Sequence, residues 1–271
     1  MINILLIGSG AWGQKYISTL SNFSDVSLTI ANRNNWKQLI DKHPSGVIVC
    51  TPPDSHVEIA SCALSNNIPT MIEKPLSLSL EECYKLKQFS APILVNHIHL
   101  FSQAYQNLRT IVKTYKIDKI LSLGYNNGPV RNYSSLWDYG PHDLSMILDL
   151  SHSRGGPCVF PNNIDVQKLH TDTGVLFNIK IKFNTMFDAE SLVGNGGKKS
   201  VRKLKVFCDG LKIEYNDKDR PVHHSPPLTN AINVFIDAIG GKKDYRLGLD
   251  LSLKIMNVLE CCQKSLMTHN M

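Results

Sequence analysis

The chain opens on an uninterrupted apolar run in "INILLIG", closed by Gly8. A run of this length predicts a strand covered on both faces. In the next stretch, "AWGQKYISTLSNF", Trp12, Tyr16, Ile17 and Leu20 recur at helical spacing. Further strands are predicted in "VSLTIAN", "SGVIVCT", "PTMIEK" and "APILVNH". Between them lie helical patterns in "NWKQLIDK", "PDSHVEIASCALSN" and "SLEECYKLKQFS". Strand and helix in alternation predict a parallel sheet with helices on both faces. The connection between the second and third strands is short, so its helix is expected to be reduced.

Beyond "SQAYQNLRTIVKTY", read as a linking helix, the pattern changes. "KILSLGYNN", "DVQKLHTD", "GVLFNIKIKFN", "KLKVFCDG" and "LKIEYND" show partial period-two alternation, which predicts a mostly antiparallel or mixed open sheet. "SLWDYGPHDLSMILDLS" interrupts them as a helix, with Gly140 and Pro141 read as its start. Two more helices, "LTNAINVFIDAIGG" and "LGLDLSLKIMNVLECCQKSL", follow. The fold class is α/β throughout. A boundary near residue 118 divides a dinucleotide-binding domain, 1–118, from a substrate-binding and oligomerisation domain, 119–271.

Composition narrows the class. Of 271 residues, 42% are hydrophobic and 19% charged, a globular balance rather than a disordered one. No apolar run reaches the length of a membrane span. The first residues lack the basic region and cleavage site of an export signal. The seven cysteines show no paired metal spacing and read as reduced thiols, which fits a cytoplasmic protein. Net charge is +6, yet the one basic cluster, "GGKKSVRKLK", alternates basic and apolar residues like a strand with one wet face. Without an aromatic platform it does not read as a nucleic-acid patch, and small anionic ligands suit the charge better.

Gly8, Gly10 and Gly13 form G-x-G-x-x-G directly after a strand and at the opening of a helix. The first glycine permits a tight turn, the second lets the backbone approach a pyrophosphate, and the third allows close helix packing. A plain glycine turn is the bland alternative. At the end of the second strand Asn32 and Arg33 stand where an NAD-preferring site usually has an acid, so NADP is favoured over NAD. Thr51, Pro52 and His56 fall at the carboxyl edge of the third strand, where ligands bind in open α/β sheets.

Lys74 lies at the same edge after the next strand, followed by Pro75, which pushes it out of helical geometry and suits a tight turn or a cis bond. An ammonium there can polarise a carbonyl or stabilise an alkoxide; pairing with Glu73 is the alternative. Asp138 and His142 are four residues apart, hence on one helical face, and form a candidate acid/base pair. A capping aspartate with a satisfied histidine is the alternative. His97 and His99 alternate as on a strand, but no third ligand follows at a metal-site spacing. His223 and His224 read as solvated loop residues.

Taken in order, "GSGAWG", "TPPDSH", "EKPLS" and "WDYGPHD" resemble the Gfo/Idh/MocA oxidoreductase family, and the likeness spans nearly the whole chain. It implies an N-terminal Rossmann domain, doubly wound on a parallel sheet, and a C-terminal α/β domain. That domain's large open sheet often mediates homodimers or homotetramers. By position, Lys74 matches the active-site lysine, and Asp138 and His142 match the acid and histidine that complete the catalytic group. Expected cofactor contacts are Gly8, Gly10, Ala11, Trp12, Gly13, Asn32, Arg33, Thr51, Pro52, His56, Glu73 and Lys74. The implied reaction moves hydride between NADP, or NAD, and a secondary alcohol or ketone of a sugar, inositol or nucleotide sugar. Relatives that act as silent cofactor-binding sensors, or as reductases of non-sugar substrates, are the alternatives. The chain departs from the family in its short Arg33–Val47 connection and in "NHIHLFSQAY", where many relatives carry a basic residue and a proline.

Overall fold

The computed structural model describes residues 1–152, 160–184, 186–217 and 225–268. Cys158, His223 and His224 lie outside them. The chain divides into two compact units. The first is Met1–Phe101 together with Ser225–Leu253, and the second is Ser102–His224 with Lys254–Met271. The chain first passes from one unit to the other at Phe101/Ser102, ahead of the boundary expected near 118. Beyond it, the chain also returns to the first unit through a later segment, which helical periodicity alone could not assign to a partner sheet.

The first unit is built on five parallel strands, β1 (Ile2–Ile7), β2 (Val26–Ala31), β3 (Gly46–Val49), β4 (Thr70–Glu73) and β5 (Ile93–Asn96). Their order is β2-β1-β3-β4-β5. All of β3, β4 and β5 and the last four residues of β1 are buried, as the continuous apolar runs require. β2, at the sheet edge, leaves Ile30 exposed. The helices are α1 (Ala11–Leu20), α2 (Trp36–Ile40), α3 (His56–Ser65) and α4 (Leu80–Tyr84). The reduced connection expected between β2 and β3 is α2, only five residues long.

Since every strand runs the same way, all five carboxyl ends lie along one edge. The order reverses between β1 and β3, which is where open parallel sheets bind ligands. The strand expected through His99 stops at Asn96. His97 follows it, and His99 sits in a short 3-10 turn, Ile98–Phe101, so the two histidines do not share a strand face.

The second unit contains α5 (Gln103–Val112), β6 (Ile117–Tyr125), α6 (Ser135–His152), β7 (Asn163–Thr171), β8 (Gly174–Lys182), β9 (Asp188–Gly194), β10 (Val201–Cys208) and β11 (Leu211–Asn216). The six strands form one sheet, ordered β11-β10-β6-β9-β8-β7. Every neighbouring pair is antiparallel except β6 with β9, so the sheet is mostly antiparallel. β9 was not legible as a strand. α7 (Pro227–Ile239) belongs to the first unit, and α8 (Asp250–Thr268) contributes its first residues to the first unit and the rest to the second.

α6 starts at Ser135, earlier than Gly140-Pro141 suggested. Pro141 lies inside the helix, where it lacks the N–H that would reach the Trp137 carbonyl. Burial of nearly the whole helix offsets that loss, from Leu136 to Ser151 with His142 half-buried. Two buried carboxylates fix α6. Asp143 accepts from Ser122 of β6 and Arg202 of β10. Asp149 accepts from Arg109 Nε and the Tyr105 hydroxyl, each at 2.7 Å. Gly124 makes room for the first pair, because a Cβ there would strike Asp143 and Arg202.

Candidate active site

The turn after β1 realises the three glycine roles separately. Gly8 has φ +105°, and an ideal Cβ on it would lie 2.4 Å from the Cys50 carbonyl oxygen after β3. A Cβ on Gly13 would lie 2.2 Å from the Gly8 carbonyl oxygen. At Gly10 nothing stands within 4 Å. Two glycines therefore draw the turn tightly across the β1/β3 switch point, and the middle one leaves its surface open. Gly10 is also the N-cap of α1 and supplies no side-chain cap, so the helix N-terminus keeps its N–H groups for an external acceptor. This cradle fits a dinucleotide pyrophosphate.

Glu73 organises the edge beside it. Its Oε1 accepts from Trp12 Nε1 at 2.6 Å, from the Tyr16 hydroxyl at 2.6 Å and from Asn96 Nδ2 at 2.7 Å. Its Oε2 accepts from the backbone N–H of Lys74 at 3.2 Å. One carboxylate thus ties α1 to the ends of β4 and β5 and holds the backbone of Lys74. Asn96 Nδ2 also donates to the Tyr16 oxygen at 2.8 Å. Burial, and then the Glu73 charge, push the Tyr16 phenol well above its usual pKa, so it stays a donor. Tyr16 and Asn96 were not singled out from the sequence. A polar residue closing a buried parallel strand is a signal that could have drawn attention to Asn96.

Lys74 is followed by a cis peptide bond to Pro75. His56 braces the same corner from α3: Nδ1 is 3.0 Å from the Pro75 carbonyl oxygen and Nε2 is 2.8 Å from that of Thr51. Burial lowers its pKa, against the opposing pull of those carbonyls. Both nitrogens face backbone carbonyls inside the protein, a neutral imidazole donates to one of the two, and the ring sits between the two edge loops. His97 lies buried after β5 with Nε2 2.9 Å from Ser252 Oγ, while its Nδ1 has no hydrogen-bond partner among the described residues. Burial, and next the nearby Lys74 charge, lower its pKa to about 3, so the ring is neutral. At the end of β2, Asn32 Oδ1 accepts from the Asn34 N–H at 2.8 Å, and Arg33 is exposed.

In the second unit, Asp138 and His142 stand one turn apart on α6. Asp138 is buried, and Arg131 Nε lies 3.3 Å from its Oδ2. Asp138 also borders a cavity of about 280 Å³ whose lining includes Arg131, Lys168, Phe177 and Asn195.

A five-stranded parallel sheet with a glycine cradle at its switch point is the architecture of a dinucleotide-binding Rossmann fold. Residues 26–91 match the family described as "Oxidoreductase family, NAD-binding Rossmann fold", the Gfo/Idh/MocA model. This is the same family that the four sequence motifs resemble, matched here over residues 26–91. Among solved structures, a provisionally assigned oxidoreductase from Magnetospirillum magnetotacticum MS-1 is similar at 25% identity and TM-score 0.83, covering 96% of this chain and 99% of that one. UDP-N-acetylglucosamine 3-dehydrogenase from Acidithiobacillus ferrooxidans is similar at 16% identity and TM-score 0.82, covering 97% of each chain. GenD2 from gentamicin A biosynthesis, in complex with NAD, is similar at 12% identity and TM-score 0.81, covering 97% of this chain and 93% of that one. The last two likenesses are of fold. Among curated proteins none matches the sequence. Among the described residues no helix is long and apolar enough to cross a membrane.

Proposed function

We propose that the chain is a cytoplasmic NADP-preferring oxidoreductase, able to use NAD, that acts on a secondary alcohol or ketone of a sugar, inositol or nucleotide sugar. The observation that carries the reading is the glycine turn, closed at Gly8 and Gly13 and open at Gly10, drawn across the switch point. Gly8, Gly10, Ala11, Trp12 and Gly13 would hold the pyrophosphate. Asn32 and Arg33 would meet the adenosine ribose and its phosphate, and Thr51, Pro52, Glu73 and Lys74 the remainder. When bound, the dinucleotide gives or takes the hydride at its nicotinamide ring.

In this reading Lys74, Asp138 and His142 form the catalytic group. The Lys74 ammonium donates to the substrate oxygen and stabilises charge that develops there. His142 takes the hydroxyl proton in oxidation and returns it in reduction. Asp138 orients the pair. The dehydrogenase named among the similar structures supports a sugar-type substrate. A homodimer or homotetramer is proposed through the sheet face opposite α6, where Leu121, Leu123, Leu176 and Leu192 alternate with buried neighbours and remain half-buried.

The test is to offer a panel of sugars, inositols and nucleotide sugars to the protein with NADP or NAD and follow the absorbance of the reduced nicotinamide. Turnover of a polyol supports the reading. Cofactor binding without turnover across the panel and its keto forms would replace it with a sensor.

A further inference from the structure

We infer that the cavity beside Asp138 in the second unit binds an anionic group of the substrate, a carboxylate or phosphate carried on a polyol, through Arg131, Lys168 and Asn195. This specifies the substrate class of the proposed function and rests on that reading for the part Asp138 plays.

The donor set carries the argument. Asn195 is 9% exposed, and its Oδ1 accepts from the Val175 N–H at 3.1 Å. That bond fixes the amide and leaves Nδ2 as a donor with no partner among the described residues. Arg131 places Nε on Asp138, and its other guanidinium donors have no partner among the described residues. Lys168 makes no ion pair among them. Lys168 is itself exposed, on the edge strand β7. It is two residues from buried Val166, and its register partner is Phe177, itself only 3% exposed. Lys168 therefore shares its strand face with Val166 and stands at the exposed margin of that face, beside the cavity.

Two cations against one carboxylate leave an excess of positive charge in the cavity. The sole carboxylate already faces Arg131, so the donors left over call for an external acceptor. A guanidinium fork suits the paired oxygens of carboxylate and phosphate alike. Val175 and Phe177 form an apolar wall against which the carbon skeleton of such a ligand can lie.

The test is calorimetric titration of the full chain, saturated with NADP, using glucose, glucuronate and glucose 6-phosphate as probes. The two charged sugars should bind at least about tenfold more tightly than glucose, and rising salt should erode the difference. Preference for glucuronate or for glucose 6-phosphate identifies the anion. Arg131→Gln and Lys168→Gln, each checked for folding by circular dichroism, should each cut the ratio of charged to neutral affinity several-fold. Equal binding of charged and neutral sugars overturns the inference. So does a ratio unchanged in a folded Lys168→Gln protein, which keeps the test decisive if Arg131→Gln fails to fold. Neutral polyols that turn over without any charge preference would sink this inference and leave the oxidoreductase reading standing. Charge-selective binding without turnover of any polyol would do the reverse.

Discussion

The Tyr16 hydroxyl donates to Glu73 Oε1 at 2.6 Å in a buried setting, and through that bond the first helix is fastened to the end of the fourth strand. Tyr16→Phe removes one of three donors to a single carboxylate oxygen. A hydrogen bond to a buried charge is worth about 1.5–3 kcal/mol, so urea unfolding should show a loss in that range. Cofactor affinity should fall as well, because Trp12 and the glycine turn share the anchor. A variant with unchanged stability would remove Glu73 from this role.

The three glycines should separate cleanly. Gly8→Ala and Gly13→Ala force a Cβ into backbone atoms and should destabilise the protein even without cofactor. Gly10→Ala meets open space, so thermal unfolding of the apo protein should shift little while dinucleotide affinity drops about tenfold or more. Melting curves and cofactor fluorescence titrations on the three variants check this.

Lys74→Ala should lower kcat by roughly 10²–10³, the size seen when a donor to a developing oxyanion is lost, with dinucleotide affinity nearly unchanged. Steady-state kinetics beside a binding titration decide it. Equal losses in both would assign Lys74 to cofactor binding alone.

Arg33→Ala should weaken NADP more than NAD, since only the former brings a phosphate for the guanidinium. The ratio of the two affinities, measured by titration, is the readout, and an unchanged ratio would end the NADP preference.

His97 should make stability depend on acid. Its folded pKa is about 3, below the ordinary 6.5, so between those values the unfolded chain binds more protons than the folded one. Stability from this group is full above about pH 6.5 and falls as pH drops toward 3. The lowered pKa of His56 acts in the same direction. His97→Asn should flatten the loss between pH 6 and pH 4 (approximate limits of the same window), measured by urea midpoints.

The cofactor cradle was legible because its information is local: three glycines at fixed offsets, a strand before and a helix after. The place of Lys74 at the end of β4, ahead of Pro75, was legible for the same reason. The Glu73 cluster was not, since Tyr16 and Asn96 lie 57 and 23 residues from Glu73, and nothing in their neighbourhoods marks them as partners. β9 was hidden by its polar content. Ser191 is buried in it without breaking the sheet, and Glu190 faces outward and accepts from Asn178 of β8. Pro141 misled the reading of α6 because a proline usually marks a helix start, whereas here the surrounding burial outweighs the missing hydrogen bond. Arg131, Lys168 and Asn195 come from three separate loops or strands, so only folding assembles them.

Gly46 of β3 carries no side chain where Phe235 and Ile239 of α7 press in: an ideal Cβ would lie 2.6 Å from the Ile239 methyl. Arg246, from the same returning segment, stacks 4.5 Å from the ring of Phe101. The nucleotide-binding half is consequently discontinuous in the gene's order. A fragment cut after residue 101 would expose the floor beneath β3, and any graft of this half onto another protein must carry 225–253 along with it.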